Sequence, residues 1–368
     1  GAVVVVFMHN IPYKWFQVFP VFLLPASVVL LALVMLMERV NGAARWMTFM
    51  GVQFQPSEVA KMAVIIVTAF ILSKGQDEFG ASPKAFKRIM IITGVICVLI
   101  APENLSTAAL LFGVVFLMMF IGRVSAKKLL ILSGGLIGIV VIGVAFLVLT
   151  KNSDLPFLHR FDTWRARIEK CTDDKEVPAA KFDIDKDAQI AHARIAVATS
   201  NVVGKGPGNS VQRDFLSQAF SDFIFAIIIE ELGLAGGAVV VFLYICILIR
   251  VGRIAKKCER TFPAFLIIGI ALLLVSQAIF NMMVAVGLAP VTGQPLPLIS
   301  KGGTSTLINC AYIGMILSVS RYTAKLEEQK AHDAQVPMQI ESSEINNGDA
   351  QTAADPISEA LNSDAEFE

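Results

Sequence analysis

The sequence predicts an all-α fold, a polytopic integral membrane bundle with one large extracytoplasmic loop. Three observations lead there. The 368-residue chain is 55% hydrophobic and its mean hydropathy is +0.67. Apolar windows of about 17 residues or more recur along it, the length a helix needs to cross a bilayer. Basic residues also segregate into alternate short loops, as the positive-inside rule requires.

The windows place spans near residues 18–38, 57–73, 105–122, 129–150, 222–249, 263–288 and 303–320. The run 89–101 is short, but Lys87 and Arg88 before it and Pro102 after it favour a span over a re-entrant segment. Residues 1–9 read as the end of a helix whose beginning is missing, because neither an initiator Met nor a signal peptide precedes them. Nine spans are therefore expected, the first only in part, in a chain truncated at its N-terminus.

Orientation follows from the loops. Lys14, the group Lys74, Lys84, Lys87 and Arg88, the group Arg123, Lys127 and Lys128, the cluster from Arg250 to Arg260, and Arg321 with Lys325 share one side. That side is expected to be cytoplasmic. The opposite short loops offer only Arg39, Arg45 and Lys301, so the long loop of about 151–221 faces outward. Residues 1–322 form the transmembrane domain, and 323–368 an acidic, aromatic-poor cytoplasmic tail expected to be disordered. The tail is either simply solvated or a tether for partners. Of five cysteines, only Cys171 lies outside, so no disulfide is expected. A net charge of +1 gives no ground for a nucleic-acid partner.

Four polar constellations interrupt the apolar pattern. The first is Asn41 to Trp46 followed by Phe54-Gln55-Pro56-Ser57-Glu58 and Lys61, with Pro56 starting a helix. Glu58 and Lys61, three apart, share a face and make either a packing salt bridge or part of a substrate site. Arg45 with Trp46 is either an interfacial anchor or a binding residue. In the second, Pro102-Glu103-Asn104-Leu105-Ser106-Thr107, Ser106 and Thr107 read as helix caps. Glu103 is either a dipole-stabilising acid or part of a cation or sugar site. The sequon at Asn104 lies too close to the bilayer to be a convincing glycosylation site.

The third constellation runs from His192 to Glu231. Its glycine-rich stretch, Gly204-Lys205-Gly206-Pro207-Gly208-Asn209-Ser210, lacks the spacing of a nucleotide phosphate loop. Its backbone N–H groups either cradle an anion such as a diphosphate or form a flexible turn. Gln212-Arg213-Asp214 follows, and Ser221-Asp222 stands at the mouth of the next span. Asp222 serves either as a cap and dipole partner or in catalysis. Glu230 and Glu231 are read as bridging helices inside the bundle. The fourth comprises Asn281 and the stretch Ala289 to Ser305, with Pro290, Pro295, Pro297, Gly293, Gly302 and Gly303. Irregular backbone at a membrane edge is tolerable where it is buried in protein or lines a wet cavity, which makes this a cleft wall.

In this order, these stretches resemble the SEDS family (shape, elongation, division and sporulation) of polytopic peptidoglycan polymerases. The resemblance runs from residue 1 to about 322. It is carried by Phe54-Gln-Pro-Ser-Glu58, by Ser221-Asp-Phe-Ile-Phe-Ala226 with Glu230-Glu-Leu-Gly233, and by Pro295-Leu-Pro-Leu-Ile-Ser300 with Gly302-Gly303. Gly206-Pro-Gly-Asn-Ser210 is more similar to the FtsW branch, which serves division, than to the RodA branch, which serves elongation. The chain departs from the family pattern at Ala101-Pro102-Glu103, Ser106-Thr107, Ala198-Thr-Ser-Asn201 and Lys301.

The resemblance implies a ten-helix fold, here without its first helix and part of its second. It implies a glycosyltransferase that polymerises lipid II into β-1,4 glycan on the outer face of the bacterial inner membrane. A class B penicillin-binding transpeptidase and other divisome proteins are the implied partners. Asp222 is the implied catalytic residue, a general base. Arg45, Glu58 and Lys61 match functionally important positions of the family. Beside the resemblance, a lipid diphosphate leaving group needs its charge neutralised, for which Arg45, Lys61, Lys205 and Arg213 are the candidates, with a divalent cation (Mg or Mn) as the one cofactor considered; Glu103 and Ser300 complete the candidate substrate-binding set. Two other classes stay open: a flippase or transporter of lipid-linked precursors, and a non-catalytic scaffold.

Overall fold

The computed structural model describes residues 1–36, 47–49, 52–77, 80–149, 186–216 and 219–363. Its helices are α1 (Ala2–Asn10), α2 (Phe19–Met35), α3 (Pro56–Lys74), α4 (Pro83–Ile100), α5 (Leu105–Ile121), α6 (Ala126–Leu149), α7 (Lys186–Ala198), α8 (Ile224–Lys257), α9 (Thr261–Ala285) and α10 (Gly303–Ser363). The strands among the described residues form two short antiparallel hairpins, β1 (Met47–Phe49) with β2 (Val52–Phe54) and β3 (Gln76–Asp77) with β4 (Gly80–Ala81).

Nine of these helices fall on the nine expected spans. By length and composition, α3, α8, α9 and the Gly303–Asp333 part of α10 can each cross a membrane. The short run 89–101 belongs to a longer helix than its apolar residues suggest. Ser82 caps α4, accepting from the Ala85 N–H, and Pro83 occupies its first turn, so Lys84, Lys87 and Arg88 lie inside the helix. The tenth helix, α7, sits in what the sequence reads as loop. It docks through Ala193 and Ala196, three apart on one face, against α8 and Leu296.

Helices α3 and α9 form the centre. In the most apolar stretch of α3, 72% is buried, and of α9 67%, against 22% for α8, which lies at the periphery. The two central helices pack on each other, with α2 against α3, α5 against α9 and α8 along α9. At Gly314 of α10 the helix meets α1 closely: an added Cβ would stand 2.5 Å from the Met8 Cβ. The Ser318 hydroxyl donates to the Ile11 carbonyl at 2.6 Å.

Helix α8 is broken at Gly233 (φ 71°, ψ −173°). A break leaves carbonyls unpaired before it and N–H groups unpaired after it, and the glycine-rich run supplies both sets of partners. Lys205 N–H donates to the Glu230 carbonyl (3.0 Å) and Gly206 N–H to that of Glu231 (2.8 Å). Beyond the break, Leu234 and Ala235 N–H donate to the carbonyls of Asn201 and Val202, both at 3.2 Å. The approach is close enough to exclude side chains: a Cβ on Gly233 would fall 2.2 Å from the Val202 oxygen, and one on Gly204 2.3 Å from the Gly233 nitrogen. Gly233→Ala adds both this clash and left-handed strain, so we expect a loss of roughly 2–5 kcal/mol. Thermal unfolding in detergent measures it, and an unchanged midpoint contradicts the splice.

The chain divides into two compact units, Gly1–Val319 and Ser320–Glu368. The second continues α10 to Ser363, where composition predicts disorder. Ala, Glu, Gln and Lys recur in this stretch and have high intrinsic helix propensity, which a reading based on charge and aromatic content overlooks. Pro337, Gly348 and Pro356 are the weak points of that helix. Cys97, Cys246, Cys258 and Cys310 are free thiols, and Cys171 lies outside the described residues. Burial pushes the Cys258 thiol, just past α8, up to about 11.

Candidate active site

Residues 289–302 link α9 to α10 as an irregular strap, and the strap is tied down on every side. From the N-terminal end of α5, the Ser106 hydroxyl donates to the Thr292 carbonyl at 3.3 Å, and Thr107 Oγ1 accepts from Gln294. Tyr244 of α8 donates to the Pro297 carbonyl. Gln277 of α9 donates to the Pro295 carbonyl at 3.1 Å. Asn281, one turn later, donates to the Gln294 carbonyl at 2.8 Å. The expected cleft wall is thus a segment buried at Gln294, Leu296, Pro297 and Ser300 and exposed at Pro290, Leu298, Ile299 and Lys301, whose backbone carbonyls find partners on three helices.

This strap holds the Asp222 segment. Three successive carbonyls are taken by donors from the strap or from Asn281: Phe220 by Lys301 N–H (2.8 Å), Ser221 by the Ser300 hydroxyl (2.6 Å) and Asp222 by Asn281 Nδ2 (2.9 Å). The Asp222 side chain is half-buried, and its Oδ1 accepts from the Ser221 hydroxyl at 2.9 Å. The N-cap position of α8 falls on Phe223, the residue after Asp222.

Glu58 and Lys61 pair as their spacing predicts, with Nζ 2.7 Å from Oε1 and the side chains 4% and 0% exposed. Lys61 also donates to Gln277 Oε1 at 3.2 Å. Gln277 therefore joins the buried ion pair to the strap, and Asn281 joins the strap to Asp222. The sequence reading did not include Gln277 in the site and assigned no role to Asn281. The available signal was two amides spaced i, i+4 on an otherwise apolar span.

Glu103 is half-buried beside a small cleft, apolar on Leu31, Val34 and Ile100 and polar on Gln55 and Ser57. The cap of α5 is Asn104, which accepts from the Thr107 N–H at 3.1 Å, and not Ser106 or Thr107. Asn104 is buried, which disposes of the sequon.

The glycine-rich run differs most from expectation. The Lys205 and Gly206 N–H groups are spent on α8 and offer no anion cradle. Lys205 Nζ lies 2.6 Å from the buried Glu230 carboxylate, which also accepts from the Ser210 hydroxyl (2.5 Å) and from the N–H groups of Val211 and Gln212. Glu230 thus fastens the loop, where the sequence reading had it bridging helices. Arg213, half-buried, contacts the exposed Asp214 at 3.3 Å. Next to it His192 Nδ1 meets Gln212 Oε1 at 2.6 Å, and its ring stacks on Phe215. Ser300 is buried with its hydroxyl engaged twice, donating to Ser221 and accepting from the Leu296 N–H. Its geometry is that of a brace for the Asp222 segment. Arg45 lies outside the described residues. Among the described residues, no three of His, Cys, Asp and Glu are grouped to hold a metal.

Fold and site together define a polytopic membrane protein with a braced polar centre at one end of its helices. The chain belongs to the FtsW/RodA/SpoVE family, described as cell cycle proteins, whose model matches residues 1–325. It is 34% identical over 283 residues to a probable peptidoglycan glycosyltransferase FtsW of Geobacter sp. (strain M18), covering 76% of this chain and 72% of that one. Its identity to the protein so described from Nitrosomonas europaea is 31% over 330 residues, 87% of this chain and 79% of that one. The fold is similar to a chain of a peptidoglycan synthase complex (TM-score 0.68, 24% identity, 88% and 87% coverage). It is also similar to the rod shape determining protein RodA of Thermus thermophilus (TM-score 0.60, 23% identity, 87% and 84% coverage).

Proposed function

We propose that this chain is a peptidoglycan glycosyltransferase that polymerises lipid II during division, with Asp222 as its general base. Family membership supports the activity, and the bracing of three successive carbonyls at 220–222 supports the assignment of the base. The acceptor sugar's 4-hydroxyl gives its proton to the Asp222 carboxylate. Its oxygen bonds to the donor's anomeric carbon on the face opposite the diphosphate. The carbon–oxygen bond to the lipid diphosphate breaks, the electron pair leaves with the phosphate, and an α-linked donor becomes a β-1,4 glycan. Asp222 then returns the proton to solvent.

Arg45 and Arg213 are assigned to the leaving diphosphate, whose charge must be balanced in the transition state. Lys205 and Lys61 act through their partners Glu230 and Glu58, by fixing the loop and the central helices. Glu103, at the edge of the cleft beside α2 and α3, is assigned to substrate. The described residues do not fit a resident divalent cation, and no step runs through one. The site faces outward from the inner membrane and the tail inward, following the distribution of Lys and Arg. A class B transpeptidase is the proposed partner.

The broken α8 and the buried ion pair also suit a carrier of lipid-linked precursors. One assay separates the two: in detergent, where there are no compartments, a polymerase lengthens glycan from lipid II and a carrier leaves it monomeric. We expect polymer, made by the full-length protein with its transpeptidase. Transport across liposomes without any joining of sugars replaces the proposal.

A further inference from the structure

We propose that Asn281 and Ser300 are positioning residues for the reaction, acting through the backbone of Asp222; the inference rests on the proposed role of Asp222. An aspartate at the mouth of a helix has two soft backbone dihedrals, one on each side of its Cα, and a base is effective only when held close to one geometry. The chain meets that need on the carbonyl side of 220–222.

The orientation of the Asn281 amide is decided by its neighbours. A side-chain amide has two N–H donors, and both are used on acceptors that can only accept, the carbonyls of Asp222 (2.9 Å) and Gln294 (2.8 Å). A flipped amide would set its oxygen against two carbonyl oxygens. Asn281 is 1% exposed, and its Oδ1 has no hydrogen-bond partner among the described residues. A buried acceptor without a partner is destabilising, and it is tolerated here with both donors on backbone. Ser300 has a parallel arrangement: its one proton goes to the Ser221 carbonyl and its lone pair receives the Leu296 N–H. Each side chain therefore bonds the strap with one contact and the Asp222 segment with another. The backbone at the base and the strap are thereby tied to each other.

Asn281→Asp tests this with little change in volume. The carboxylate offers no donor when ionised and at most one when protonated, so the carbonyls of Asp222 and Gln294 cannot both be held. Full-length protein with its transpeptidase is assayed for glycan synthesis over a range of lipid II concentrations. The expected result is a kcat lowered about 10- to 100-fold, the scale of a misplacement of about 1 Å, with KM changed by less than about threefold because substrate contacts are untouched. Ser300→Ala is expected to act the same way, and Ser300→Thr, which keeps the hydroxyl, to recover most of the loss. If Asn281→Asp does not fold, the Ser300 pair carries the test alone. An unchanged kcat in folded Ser300→Ala, or a loss confined to KM, overturns the inference. Asp222→Asn run in parallel keeps the two readings apart: a fully active Asp222→Asn removes the base, whereas an inactive one beside a fully active Ser300→Ala removes only the positioning role.

Discussion

Asp222→Asn is expected to lower glycan synthesis from lipid II by about 10²- to 10⁴-fold, the usual worth of a positioned general base. The substitution keeps size and shape. The backbone bonds at Phe220, Ser221 and Asp222 come from Lys301, Ser300 and Asn281 and do not involve the carboxylate, so the segment should remain braced. What the amide lacks is the basicity to accept a proton from a sugar hydroxyl. The comparison should use purified full-length protein with its transpeptidase, with melting temperature confirming the fold. Retention of full activity would dismiss Asp222 as the base whatever its surroundings.

Lys61→Met should be the most damaging single change inside the bundle. It leaves the Glu58 carboxylate, 4% exposed, without its cation, and Gln277 Oε1 without the Lys61 donor. Removing one partner of a buried pair costs about 3–5 kcal/mol, while replacing both charges is often close to neutral. The double variant Glu58→Gln with Lys61→Met should therefore recover most of the stability lost in the single variant. Its activity then decides the role of the pair. Polymerisation by the stable double variant means that the pair only joins α3 to α9. Inactivity in a stable protein means that the charges themselves serve substrate. Failure of the double variant to regain stability would contradict the ion-pair account altogether.

Much of this was legible in the sequence, for reasons that differ by element. Spans such as α3, α8 and α9 announce themselves because a bilayer fixes both length and composition. The Glu58 and Lys61 pairing was legible because helical geometry is local, so three residues of spacing determine a shared face. The roles of Lys205 and Gly206 are not legible. The sequence shows glycines and a lysine; it does not show that Gly233 breaks a helix some thirty residues later and needs their N–H groups. Ser300 stands in the sequence as the end of the Pro295-Leu-Pro-Leu-Ile-Ser300 motif, and nothing local to it shows that its hydroxyl meets the Ser221 carbonyl 2.6 Å away. Gln277 and Asn281 share a helix face, but their partners Lys61, Pro295, Gln294 and Asp222 all lie on other elements, so the spacing alone does not reveal what the amides hold. The α4 boundary slipped because Lys84, Lys87 and Arg88 mark a membrane edge without ending a helix.

The interlocked break in α8 also bears on how the protein can be altered. Asn201 and Val202 meet Leu234 and Ala235, while Lys205 and Gly206 meet Glu230 and Glu231. One residue inserted or deleted between Val202 and Lys205 leaves only one of those two sets in register. A tag, linker or protease site placed there would not decorate a surface loop; it would take the joint out of a transmembrane strut.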